Sequence, residues 1–107
     1  MLDLQDNPDL IAMYRAWHSK EKHWPEVRKG IKQIGILEME IYILSNHLFM
    51  IVETPLHFEW EKAMAELATL PRQTEWEEFV ATFQRCMKSD SADEKWKMME
   101  RMFYLYD

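Results

Sequence analysis

The sequence predicts an α+β domain in the order β-α-β-β-α-β, one antiparallel sheet with its helices on one face, the ferredoxin-like arrangement. Three observations carry this. Residues 37–43 alternate strictly between apolar and polar positions, and a short turn, Ser45-Asn46-His47, separates them from the wholly apolar run Leu48 to Val52. That pair reads as an antiparallel hairpin whose second member is a central strand. Stretches of helical spacing flank the hairpin on each side, each split in two by a proline, Pro25 and Pro71. Alternating segments at 1–4 and 96–106 supply the outer strands.

The elements follow in order. Residues 1–4, with Leu2 and Leu4 on one side, form a short first strand. Asn7-Pro8-Asp9 starts a helix: Asn7 can cap, Pro8 fits the first helical position and Asp9 suits the dipole. Leu10, Met13, Tyr14 and Trp17 give that helix an apolar side to about Ser19. Pro25-Glu26 starts the next helix, which carries Val27, Ile31 and Ile34 and stops at Gly35. Beyond the hairpin, Pro55 ends the central strand. Residues 57–69 are helical, Gln73 to Met87 form another helix through Trp76, Phe79, Val80 and Phe83, and 88–93 are a polar loop. Trp96 to Tyr106 is read as a long final strand. Helices can cover one face of such a sheet; Tyr42, Met99, Phe103 and Leu105 point away from them and imply a partner sheet, most simply in a homodimer.

Composition narrows the function classes. A chain of 107 residues makes one domain with one core, and a net charge of -6 disfavours nonspecific binding to nucleic acid or anionic membrane. The single cysteine, Cys86, has no internal partner, and no Cys/His zinc spacing occurs. No apolar run is long enough to span a bilayer, and Met1-Leu2-Asp3-Leu4 lacks the basic-then-apolar order of a signal peptide. A cytoplasmic setting is expected. No glycine-rich phosphate loop, nucleophile elbow or cofactor fingerprint is present, so no cofactor is expected.

Chemistry concentrates at the corner from Tyr14 to Glu26. Tyr14 and His18 stand four apart, on one face of a helix, and could touch the same ligand. His18 combines a near-neutral pKa with aromatic neighbours, which suits a proton carrier; the competing reading is a helix-end histidine bonded to a carbonyl. His23, beside Trp24, carries the same two readings. His47 falls in the hairpin turn and His57 near a helix start. A metal site is not expected, because His18 and His23 are five apart and spread around a helix. Glu38 and Glu40 share a strand face, as solvated glutamates commonly do, and Glu53 is a candidate for a partly buried acid. Glu75-Trp76 could offer a sugar an acceptor and an aromatic platform, although Trp76 also has the spacing of a core residue.

Several motifs together resemble the L-rhamnose mutarotase family: Tyr14-x-x-x-His18, Trp24-Pro25-Glu26-Val27, Gly35-Ile36-x-x-Met39-Glu40-Ile41-Tyr42, Leu48-Phe49-Met50-Ile51-Val52-Glu53-Thr54, Trp76 and Met102-Phe103-Tyr104-Leu105. The resemblance covers nearly the whole chain. It implies a dimeric α/β-barrel and a cofactor-free isomerase that interconverts the α and β anomers of a 6-deoxy-hexose such as L-rhamnose or L-fucose. It places the catalytic histidine at His18 and substrate contacts at Tyr14, Trp24, Met39, Glu75 and Trp76. Where the rhamnose-specific enzymes hold a second site tyrosine and a Trp-Trp pair, this chain has Met39 and Glu75-Trp76. Its spacer between His18 and Trp24 is longer, and its first strand begins several residues later. Those departures point to a relative acting on another sugar, L-fucose first. The alternative is a non-catalytic dimeric domain of the same fold that binds a small ligand or stabilises a complex.

Overall fold

A computed structural model describes residues 1–106. Its elements are β1 (Leu2–Asp3), α1 (Pro8–Trp17), α2 (Pro25–Gln33), β2 (Glu38–Leu44), β3 (His47–Glu53), α3 (Trp60–Leu67), α4 (Gln73–Ala81) and α5 (Ala92–Lys95). The sheet is antiparallel with strand order β1-β3-β2, so the wholly apolar β3 is central, as its composition demands. Tyr42 faces Phe49 and Ile43 faces Leu48 across the hairpin. The turn is Ser45-Asn46, with Ser45 in the left-handed region at φ 55°. Asn46 is buried and ties the turn to the first strand: its side-chain amide donates to the Leu4 carbonyl (3.0 Å), and its own carbonyl accepts from the Leu4 N–H (2.7 Å).

Local chemistry sets the helix boundaries. The Asn7 side chain accepts from the N–H groups of Asp9 (2.9 Å) and Leu10 (3.2 Å), capping α1 with Pro8 at its first position. α2 starts at Pro25 after an extended Trp24 and ends before Gly35, whose φ of +100° suits a residue without a side chain. α4 stops at Ala81, well short of Met87. There the chain turns so that Phe83 O accepts from Gln5 N and Arg85 N donates to Asp3 O, each at 2.9 Å, which places Gln84 opposite Leu4 in a strand-like bridge. α5 lies partly in the stretch expected to be loop. A reciprocal capping box starts it, Ser91 bonding the Glu94 N–H and Glu94 bonding the Ser91 N–H.

The helices pack on one sheet face in two clusters. One gathers Leu2, Leu4, Tyr14, Val27, Leu48, Trp76, Val80 and Phe83; the other gathers Ile34, Ile36, Ala63 and Leu67, with Met39 and Val52 against them. Burying a leucine as fully as Leu4 or Leu48 contributes on the order of 1.5–3 kcal/mol. Beneath α4 lies a polar exception. Lys95 is 2% exposed, and its Nζ donates to Glu77 O (2.6 Å) and Glu77 Oε2 (2.8 Å), while Gln73 Nε2 donates to Glu77 Oε1 (2.8 Å).

The final strand is not formed. Lys97 and Met1 exchange backbone bonds (2.6 and 2.9 Å), but among the described residues none after Lys97 belongs to a strand. Met102, Phe103 and Leu105 lie exposed. The fold is therefore α+β with three strands where four were expected. Alternation records which side chains share a face; it does not supply the neighbouring strand whose N–H and C=O groups must complete the ladder. The opposite sheet face is also uncovered, with Tyr42, Leu44 and Ile51 all more than half exposed. Glu53 is exposed as well, so it is not the partly buried acid its strand position suggested.

Candidate active site

α1 ends in the corner that the sequence singled out. His18 is its C-cap, held at φ -99° and ψ 0°, and its Nδ1 lies 2.7 Å from the Tyr14 carbonyl oxygen one turn back. The last carbonyls of a helix lack partners within it, so a side-chain donor there is favourable. A carbonyl only accepts, which puts the Nδ1 proton on the histidine and leaves Nε2 of the neutral ring with a free lone pair. The bond to a carbonyl and the role of proton carrier are thus compatible: the first fixes the tautomer the second needs. Burial of the ring holds the His18 pKa below its ordinary 6.5; the Tyr14 carbonyl opposes that shift and the positive charge of Arg28 adds to it.

Long-range packing assembles the rest. Tyr14 and His18 lie ring to ring with centroids 4.2 Å apart, and Trp76 of α4 meets His18 edge-on at 5.2 Å. Trp24, left extended by the following proline, meets Trp76 at 5.2 Å and stacks on Phe79 at 5.5 Å, their planes 17° apart. Arg28 of α2 donates to the His18 carbonyl (3.2 Å), joining the second helix to the corner. Four expected site residues, Tyr14, His18, Trp24 and Trp76, therefore form one continuous aromatic patch. Glu75 sits at its rim, exposed, with Oε2 3.6 Å from Arg72 Nε. Met39 stands apart, packed against the second core cluster.

Two further residues join the patch that residue patterns gave no reason to select. Gln84, 3% exposed, donates through Nε2 to the Tyr14 hydroxyl oxygen (3.3 Å). Because that oxygen accepts from Gln84, the phenol keeps its own proton free to donate. Burial pushes the Tyr14 pKa up to about 12, and the nearby Glu77 charge adds to it, so the hydroxyl stays protonated. Phe79 is the second, bracing Trp24 from α4. Neither a glutamine nor a phenylalanine carries a local signal for such a role.

The other histidines stay outside. His23 Nδ1 lies near the Ser19 and Lys20 carbonyls (3.2 and 3.0 Å), His47 Nδ1 is 2.8 Å from Asp3 Oδ1, and His57 is exposed. Among the described residues no three His, Cys, Asp or Glu side chains cluster closely enough to hold a metal ion. A separate cavity of about 230 Å³ is lined by residues of α3, α4 and α5 including Met64, Gln73, Glu77 and Asp93; none of the aromatic patch lines it.

Comparison with known proteins shows which family the chain belongs to. Residues 1–105 match the family described as L-rhamnose mutarotase. The chain belongs to the L-rhamnose mutarotase family. It is 34% identical over 105 residues to an L-fucose mutarotase of Xanthomonas campestris pv. campestris, covering 98% of this chain and 84% of that protein. A UPF0734 protein of Dictyostelium discoideum is 29% identical over 107 residues, covering 99% and 84%. Membership makes the chain a sugar mutarotase, an isomerase acting on carbohydrate. No helix among the described residues is long and apolar enough to cross a membrane.

Proposed function

We propose that this mutarotase interconverts the α and β anomers of a free 6-deoxy-hexose, L-fucose before L-rhamnose, with His18 as its acid/base residue. The observation that carries this is the free Nε2 lone pair of a neutral His18, beside a Tyr14 hydroxyl whose proton is not used by Gln84. The anomeric hydroxyl gives its proton to Nε2 as the bond from C1 to the ring oxygen breaks. The ring oxygen takes the Tyr14 proton, giving the open-chain aldehyde. Rotation about C1–C2 and reversal of both transfers close the other anomer and restore both residues. Such positioned transfer is worth about two to four orders of magnitude in rate. Trp24 and the largely buried Trp76 wall the aromatic side of the site behind His18, and Glu75 offers a carboxylate acceptor at the rim. Met39, packed in the second core cluster, is not given a substrate contact. The choice of L-fucose rests on the named Xanthomonas relative and on Met39 and Glu75, where the rhamnose-specific pattern differs.

NMR saturation transfer between the anomeric protons of L-fucose and L-rhamnose, with and without protein, is the direct test. Accelerated exchange, faster for L-fucose, is the expected result; exchange at the spontaneous rate for both sugars overturns the reading. The pH dependence has a definite sign. Because the His18 pKa lies below 6.5, the rate is expected to be level through neutrality and to fall only in acid, as Nε2 takes up a proton. Folded stability should also decline as the pH drops below 6.5, because the unfolded chain takes up that proton first. A rate that is flat into acid would remove His18 as the base.

The working unit is a homodimer in the cytoplasm. Its interface joins the uncovered sheet face, with Tyr42, Leu44 and Ile51, to the exposed segment holding Met102, Phe103 and Leu105 of a second copy. Sedimentation equilibrium should give twice the 13.1 kDa chain mass, and a monomer at micromolar concentration would overturn the assembly.

A further inference from the structure

Arg72 stands in an unusual position. It precedes α4, four residues before Trp76, with its backbone in the left-handed region at φ 64°. That conformation favours glycine, and here no side-chain cap on α4 accounts for keeping an arginine in it. The guanidinium lies 4.0 Å from the centre of the Trp24 ring. Trp24 touches Trp76, and Trp76 touches His18, so Arg72 caps the aromatic patch two ring contacts from the proposed base.

Its charge is loosely matched. The nearest carboxylate oxygens are Glu75 Oε2 at 3.6 Å and Glu26 Oε2 at 3.9 Å, beyond the length of a strong charge-assisted bond. Glu26 Oε2 is itself buried and has no hydrogen-bond partner. A buried carboxylate oxygen without a donor is costly, and a guanidinium has five N–H groups to place. Once the Arg72 side chain moves off this oxygen, a single hydroxyl can bridge the pair, accepting from Arg72 and donating to Glu26. Arg72 is more than two-fifths exposed along its side chain, so it can shift to admit one.

We propose that Arg72 and Glu26 form a specificity clamp that reads a ring hydroxyl of a sugar bound at the rim of the aromatic patch. The inference rests on the mutarotase reading and deepens it: His18 moves the proton, and the clamp selects the pyranose. Glu26 follows Trp24-Pro25 directly, so the proline that keeps the tryptophan extended also sets the carboxylate beside it. Arg72 reaches the same point from α4, so the two helices carrying the patch converge on the clamp.

Arg72→Gly isolates the side chain, because glycine suits the backbone at this position and should not lower the melting temperature. With L-fucose and L-rhamnose and their 2-, 3- and 4-deoxy analogues, saturation transfer should show KM rising about tenfold or more while kcat changes little, as lost uniform binding does. The rate penalty for the analogue lacking the clamped hydroxyl should disappear in the same variant. Glu26→Gln should weaken discrimination at the same hydroxyl. Arg72→Lys should restore only part of the binding, because an ammonium cannot reproduce the guanidinium fork. In each variant the acid limb of the pH profile should stay where it is in the wild type. An active wild type with unchanged KM and unchanged deoxy-sugar discrimination in Arg72→Gly overturns the clamp alone. A wild type that accelerates none of the sugars overturns the mutarotase reading, and the clamp with it.

Discussion

Replacing His18 with alanine is expected to remove about two to four orders of magnitude from the anomer exchange rate, the range of one positioned acid/base group. The variant should remain folded. His18 caps the end of α1 with a single bond to the Tyr14 carbonyl, and losing a bond of that kind costs about 0.5–1.5 kcal/mol. His18→Gln sharpens the result. Its amide can still donate to the helix carbonyl, so the corner is preserved, but it has no nitrogen lone pair to take a proton. Both variants should be inactive at saturating sugar, with near-wild-type circular dichroism. A folded His18→Gln that keeps wild-type turnover would show that the proton goes elsewhere.

The largest effect on stability is expected at Lys95, outside the aromatic patch. Its side chain is wholly buried and makes an ion pair with Glu77, which Gln73 also binds. Lys95→Ala would strand the Glu77 carboxylate, only 15% exposed, and leave the space of three methylenes and the ammonium. Breaking a buried pair from one side costs about 3–5 kcal/mol. At roughly 4–8 °C per kcal/mol for a domain near this size, the melting temperature should drop by at least ~12 °C. The double variant Lys95→Met with Glu77→Gln should recover much of the loss, since it removes both charges and keeps most of the volume. A Lys95→Ala protein that melts within a few degrees of wild type would mean that the pair is hydrated and contributes little.

These two residues differ in how far the sequence could reveal them. His18 was accessible because its relation to Tyr14 is local: a spacing of four on a capped helix puts both on one face, whatever the remainder of the chain does. Lys95 was not. Between an acidic cap and a tryptophan it has the pattern of a solvated lysine, and only the position of Glu77, eighteen residues earlier on another helix, makes its burial tolerable. Gln84 is a similar case. Its place beside the Tyr14 hydroxyl follows from a backbone bridge to Leu4, eighty residues away in the chain, and no local rule anticipates it.

Short-range physics was written plainly in the chain. Asn7-Pro8 and Pro25 fix where two helices start, Gly35 fixes where the second stops, and the alternation in 37–43 against the apolar run after it fixes a hairpin with a central second strand. Each depends on the conformational limits of a few adjacent residues. Tertiary structure alone decided what converges. It brought Trp24 and Trp76 onto His18, sent Met39 to the other core cluster, and set Arg72 over Trp24. It also left residues 98–106 without a strand to pair with, although their composition is as apolar as that of a paired strand. A helix satisfies its hydrogen bonds within itself and so can be read from its own residues. A strand is completed by another strand, and whether one is present depends on the arrangement of the whole molecule.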